Sequence, residues 1–424
     1  MRKTLYRYSA VVLAMGTTLL AHAQQQTFTW QQLRERFLAN NPTLLAGRLS
    51  VNEAKADEIT AFLRPNPNLS FTADGTQIAP TNGVWQPLTG TFESAEINYL
   101  HERRHKRELR LESAKEGTLI SESSFADAQR TLLFDLRSAY LSTLQAKAVQ
   151  QLAKDNLGYY DHLLDVSRER FKAGDIAQID FDRLELQRVQ YESDWQAAEM
   201  NLRTAKIQLQ QLLDDRTPVD QFDVQGAFEF SDGLPPLESF RQSAFDHRPD
   251  LQAALQSIEQ AKTEYKLAVA NGSTDPTFAA WHTYNSSTNN SNANQTIGLN
   301  ISIPLRIFDR NQGEKNRTYL DIGRNQQLED ATRAQVFADV DSAYAQVNSN
   351  LILLRPYKEK YLDQALRVRE TVTFAWQHGA ASLMDFLNAQ SEYRQVQLSY
   401  VQLIGAYLTA TGQLNLAVGT EAIP

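Results

Sequence analysis

Gly174-Asp175-Ile176-Ala177-Gln178-Ile179-Asp180-Phe181 is answered 205 residues later by Gly379-Ala380-Ala381-Ser382-Leu383-Met384-Asp385-Phe386, with the glycine and the Asp-Phe pair at the same spacing. Two further landmarks keep the order: Asn41-Pro42-Thr43-Leu44 returns as Arg248-Pro249-Asp250-Leu251, and Ser138-Ala139-Tyr140 as Ser342-Ala343-Tyr344. Landmarks held in register over so long a stretch mean a tandem duplication, or two copies of one structural plan. The 424 residues divide into a signal segment 1–23, a first structural repeat 24–235 and a second 236–424.

Each glycine closes a long helical run. Apolar residues recur three and four apart over 125–156 and 331–361; Phe337, Val340, Tyr344, Val347, Leu351 and Leu354 step by 3, 4, 3, 4 and 3, the seam of a coiled-coil-like helix. The pattern persists for about 65 residues in each half, and at 1.5 Å per residue such a helix is roughly 100 Å long. Pro356 removes a backbone donor inside the second run, which predicts a kink or a fresh start there. After each glycine a second run follows, over 180–213 and 382–416, so each half carries a long antiparallel helical hairpin. Shorter helices are expected before them, over 30–63 and 237–270.

Between short and long helices the period changes to two. Ile297, Leu299, Ile301 and Ile303 alternate with Thr296, Gly298, Asn300 and Ser302, and 68–76, 91–100 and 277–285 alternate less cleanly. These are four strands of about nine or ten residues, the length of a tilted strand crossing a bilayer. Polar loops, 79–90 and 286–294, join each pair. Trp85, Tyr99, Trp281 and Tyr284 near the strand ends suit an interfacial aromatic girdle. Four strands cannot close a membrane barrel, and open edges in lipid leave backbone groups unsatisfied. The chain is therefore expected to oligomerise, as an α+β membrane protein; three copies would supply a 12-stranded β-barrel continued by a 12-helix α-barrel.

Composition narrows the address. Arg2 and Lys3, an apolar run from Val11 to Leu20 and Ala21-His22-Ala23 read as a secretory signal peptide, and no other stretch approaches the length of a membrane helix. Without cysteine there is no disulfide, thiol nucleophile, zinc thiolate or lipid-accepting residue. A net charge of -8 argues against a nucleic-acid partner.

At this point the chain resembles the TolC-like outer membrane efflux family, and more closely its cobalt-zinc-cadmium-type branch. Pro304-Leu305-Arg306-Ile307-Phe308-Asp309-Arg310-Asn311-Gln312-Gly313 is similar to that branch's proline-led turn from the fourth strand into the long helix. Lys106-Arg107 with Arg110 is similar to the basic cluster at the matching junction of the first half, although Arg104-His105 stand where two glycines are expected. The spacings Gly174/Asp180 and Gly379/Asp385 resemble the periplasmic helix-to-helix turns. The resemblance implies a trimeric outer membrane channel, reaching into the periplasm, that docks through an adaptor protein onto an inner-membrane pump. It implies no catalysis and no cofactor. It maps Asp385 and Asn388 to the pore constriction, where a ring of carboxylates would attract cations and raise one another's pKa. As adaptor-docking tips it suggests Gly174, Asp180, Phe181, Gly379 and Phe386. Heavy-metal cations or small organic compounds are the expected cargo.

Two readings compete. A periplasmic adaptor or structural coiled-coil protein also has a signal peptide and helical hairpins, but it predicts a single hairpin. His101-Glu102-Arg103-Arg104-His105 fits the H-E-x-x-H signature of zinc proteases, which needs both histidines on one face of a helix. Here the segment ends a strand and carries two arginines, so the motif is read as incidental.

Overall fold

A computed structural model describes residues 26–88, 90–285 and 294–423. The signal segment 1–23 and all but the last residue of the 286–294 loop lie outside them. After a short strand β1 (Gln26–Phe28), the first half runs α1 (Trp30–Asn40), α2 (Pro42–Phe62), β2 (Asn68–Asp74), β3 (Phe92–Leu100), α3 (Lys106–Ala173) and α4 (Gln178–Leu212). Strand β4 (Phe222–Val224) leads into the second half: α5 (Leu237–His247), α6 (Pro249–Asn271), β5 (Thr277–Asn285) and β6 (Gln295–Ser302). The second helical hairpin is α7 (Gln312–Pro356), a π-turn over Tyr357–Tyr361, α8 (Leu362–Gln377) and α9 (Leu383–Val418).

The short helices correct the sequence reading, because each expected single helix is two. Proline crowds the backbone of the residue before it out of the helical region, and Asn41 and Arg248 take ψ values of 119° and 118°. The chain therefore breaks at both sites, and Pro42 and Pro249 start new helices at their first turns. Asn41 also caps α2, accepting a hydrogen bond from the Leu44 N–H at 3.1 Å. At Pro356 the second long helix does not stop but widens by one residue per turn over Tyr357–Tyr361 before resuming as α8. The first half has no such proline, and α3 is continuous for 68 residues, roughly 100 Å.

The seam of α7 is Val336, Val340, Ala343, Val347, Leu351 and Leu354, all nearly inaccessible. The period matches the expectation, but Val336 and Ala343 replace Phe337 and Tyr344, which flank the seam and pack edge-on against Phe245 and tilted against Phe240 of α5. One apolar cluster joins α7 to α9 through Tyr407, Leu414 and Val418; another joins α1, α3 and α4 through Leu33, Phe37, Leu136 and Leu209. The second cluster includes Phe222 and Val224 of β4, which pairs in parallel with β1. That three-residue ladder is too short to leave a periodic signal in sequence.

The four remaining strands form one antiparallel sheet in the order β2-β3-β5-β6. The halves meet in its middle, where β3 pairs with β5 from Phe92↔Asn285 to Leu100↔Thr277. Strands β2 and β6 are left as edges. No helix among the described residues is long and apolar enough to cross a membrane.

Candidate functional site

Each helical hairpin turns on a left-handed glycine. Gly174 (φ 85°) and Gly379 (φ 75°) close the same motif: their N–H groups donate to Phe171 O and Trp376 O, and the next residues donate to Arg170 O and Ala375 O. Past the turns, Phe181 stacks on Phe171 at 5.1 Å and Phe386 on Trp376 at 4.5 Å. Both rings belong to one cluster with Leu163, Leu164, Leu184 and Leu383. The two tips thus pack side by side, and Phe181 and Phe386 lie beneath their surface.

The acids after the turns differ. Asp385 is exposed and completes a capping box: the Ser382 hydroxyl and N–H donate to its Oδ2 at 2.7 and 3.2 Å, and its own N–H donates to Ser382 Oγ at 3.1 Å. Those donors hold the Asp385 carboxyl below the ordinary carboxylate range in the single chain. Asn388, one turn on, is exposed beside it. In the first tip Ala177 occupies the cap position and no side chain caps the helix, so Asp180 has no box to complete.

The strand-to-helix junctions use the basic residues structurally. Lys106 is buried, with its Nζ 2.5 Å from Asp275 Oδ2 and 3.3 Å from Ser273 O. Arg103 N–H donates to the other Asp275 oxygen at 2.9 Å, so this site ties α3 of the first half to the α6–β5 turn of the second. Arg110 grips Glu102 with two hydrogen bonds of 2.6 and 2.8 Å. Arg104 and His105 both adopt positive φ, 60° and 55°, which explains why glycine suits that turn. The second junction needs one such residue, Asn311 (φ 60°), whose Nδ2 donates to Ala268 O at 2.8 Å.

The H-E-x-x-H segment makes no zinc helix. It precedes α3, Glu102 is committed to Arg110, His101 packs edge-on to Phe278, and His105 sits in the left-handed region.

Register sorts the sheet into two faces. Leu69, Ile97, Ala280 and Leu299 lie on one, with Phe71, Ala95, Tyr99, Phe278 and Ile301. Leu299 and Ile297 are 81% exposed and Phe71 77% exposed, an apolar surface without cover in the single chain. Asn68, Asn98 and Asn300 share the opposite, polar face with Thr72, Ser94, Thr283 and Thr296. Tyr99 and Tyr284 are on the apolar face, as a girdle requires, but Trp281 is not. Trp281 is in register with Glu96 and Gly298 on the polar side, because strand parity and not nearness to the strand end decides the face.

A sequence profile of the family described as "Outer membrane efflux protein" matches residues 33–214 and 240–420, one segment per half. The chain belongs to the outer membrane efflux protein family. It is an outer membrane efflux channel that extends into the periplasm, the outer component of a tripartite system, and the family is one of channels. Among relatives, this efflux protein is 21% identical to the cobalt-zinc-cadmium resistance protein CzcC of Cupriavidus metallidurans, over 90% of this chain and 87% of that one. It is 24% identical to the pyoverdine export outer membrane protein OpmQ of Pseudomonas aeruginosa, over 91% and 84%. The crystal structure of CusC superposes with a TM-score of 0.78 at 18% identity, covering 95% of this chain and 96% of that one, which establishes the shared fold.

Sequence reasoning missed two charged anchors. Arg248 is 4% exposed; it holds Asp250 at 2.6 Å and Asp339 at 2.8 Å. Asp223 of β4 sits between Lys147 at 2.5 Å and Lys206 at 3.1 Å. Burial alone would push the Asp223 carboxyl up, but the two ammonium groups hold it below the ordinary range. The sequence signal for Arg248 was its place before Pro249 in the repeated landmark; β4 offered none.

Proposed function

We propose that three copies of this chain close their four-stranded sheets into a 12-stranded barrel, continued on the periplasmic side by twelve helical lengths that form a single conduit. The observation that carries this reading is the sheet itself, with one apolar face, one polar face and two open edges, β2 and β6. Edge pairing between copies satisfies the backbone, puts the apolar face in lipid and encloses the polar face as a lumen. A membrane fraction should hold the protein as a species that migrates as a trimer in detergent gels and as a monomer after boiling. A fully soluble monomer would sink the proposal.

The conduit passes substrate handed over by an inner-membrane pump and a periplasmic adaptor. The adaptor docks on the tips around Gly174, Asp180 and Gly379, while Phe181 and Phe386 hold those tips in shape from below. Asp385 and Asn388, exposed on one face of α9, line the narrowest point and favour cations. The cargo is heavy-metal cations or small organic compounds; the relatives CzcC and OpmQ are named for one of each kind. Single-channel recordings of Asp385→Asn should show a lower preference for cations, and unchanged conductance and selectivity would remove Asp385 from the constriction.

A further inference from the structure

The polar face of the sheet is ordered in cross-strand layers. Asn68, Asn98, Ala279 and Asn300 make one, and Thr72, Ser94, Thr283 and Thr296 another. Between them lies a layer of different chemistry, Ser70, Glu96, Trp281 and Gly298, near the middle of all four strands. It combines a carboxylate with the largest aromatic ring.

Two features show that this layer is more than a chance pairing. A side chain at Gly298 would overlap the Trp281 ring at its Cζ2 and Cε2 atoms, so the missing Cβ is what lets the indole lie down across β6. The indole is half-buried in the single chain, so part of it stays open to the polar side of the sheet. In addition, β2, β3, β5 and β6 contain no lysine or arginine, so nothing within the sheet neutralises Glu96.

We propose that Glu96 and Trp281 form a recognition layer for organic cations inside the barrel, separate from the helical tips. The inference rests on the trimeric barrel, in which three carboxylates and three indoles stand at one height in the lumen. A weakly hydrated organic cation loses little water when it lies on an indole face, and the carboxylate adds long-range attraction. A small metal ion requires several ligand atoms. The layer supplies one carboxylate per chain, and His282, the one histidine in the strands of the described residues, faces the other side.

The test is block of single trimers in planar bilayers by tetrabutylammonium added on the barrel side. Wild type should show voltage-dependent block, and Glu96→Gln and Trp281→Ala should each raise the half-blocking concentration about tenfold. Gly298→Val should do the same by displacing the indole, while trimer on unboiled gels confirms folding of each variant. Wild-type pores without block, or block that ignores Glu96→Gln and Trp281→Ala, overturn this inference and leave the channel intact. Magnesium blocking as strongly as tetrabutylammonium, with sensitivity to Glu96→Gln alone, overturns the assignment to organic cations. Absence of both trimer and pores in wild type would remove the barrel, and this layer with it.

Discussion

The two hairpin tips share a backbone and differ in their side chains. Gly174 and Gly379 turn the chain by the same hydrogen bonds, and an aromatic pair packs beneath each. Yet Ser382 fastens Asp385 in a capping box, whereas Ala177 leaves Asp180 without one. The same contrast recurs elsewhere. Asn41 and Arg248 precede matching prolines, but one caps a helix and the other anchors two carboxylates. At these two places the halves thus keep the backbone geometry in common and divide the side-chain roles, with the tighter polar ties in the second.

The largest expected effect tests that division at the prolines. Arg248→Ala takes the guanidinium from Asp250 and Asp339, leaving Asp250 with Arg130 at 4.0 Å and Asp339 with Gln335, and should cost about 3 kcal/mol, read as a lower thermal unfolding temperature. Asn41→Ala removes a single cap and should cost about 1 kcal/mol. Equal losses would erase the contrast. Burial pushes the Asp250 carboxyl up, but Arg248 holds it below its ordinary value of 3.8. Because its folded pKa is depressed, its contribution is present above that value and is lost as the pH falls through the folded pKa, so the penalty for Arg248→Ala should shrink in acid.

At the turns the halves should respond alike. Nothing lies within 4 Å of a Cβ placed at Gly174 or Gly379, so Gly→Ala there meets only the cost of positive φ, about 1 to 2 kcal/mol at each tip. A markedly larger loss at one tip would show that the shared backbone hides a difference in rigidity. At the strand-to-helix junctions they should diverge. His105→Gly and Arg104→Gly should each stabilise by about 1 kcal/mol, since both occupy left-handed backbone without side-chain caps. Asn311→Gly should gain nothing, because asparagine tolerates that region and its amide holds Ala268 O.

How much of this was legible in the sequence follows from the range of each signal. The 3.6- and 2-residue periods run over many residues, so the long helices and the four strands could be read along with their meeting at Gly174 and Gly379. The breaks at Asn41-Pro42 and Arg248-Pro249 were equally visible as X-Pro pairs, but the apolar pattern continues across them and masked the break. Asp385 could be located from its spacing to Gly379, and the cap role of Ser382 follows from the same few residues. What no local pattern carries is contact across distance: the β1–β4 ladder, Lys106 reaching Asp275, and Asp223 between Lys147 and Lys206 join residues 17 to 196 positions apart. Trp281 shows the other limit, since an aromatic near a strand end looks like a girdle until register assigns its face.

The smallest effect bears most directly on the tips. Ala177 stands at the cap position of α4 with Asp180 three residues on, the arrangement that Ser382 and Asp385 have in α9. Ala177→Ser should therefore build the missing box and slow amide exchange over 178–181, with a gain of about 0.5 kcal/mol, while Ser382→Ala should open the second box at a cost of about 1 kcal/mol. Stability alone would make the two tips interchangeable. Conductance separates them: if Asp385 lines the constriction, Ser382→Ala frees its carboxylate and changes the cation preference, whereas Ala177→Ser fastens Asp180 and leaves that preference as it was. A change of equal size from both substitutions would place both acids at the pore and end the assignment of the gate to the second half.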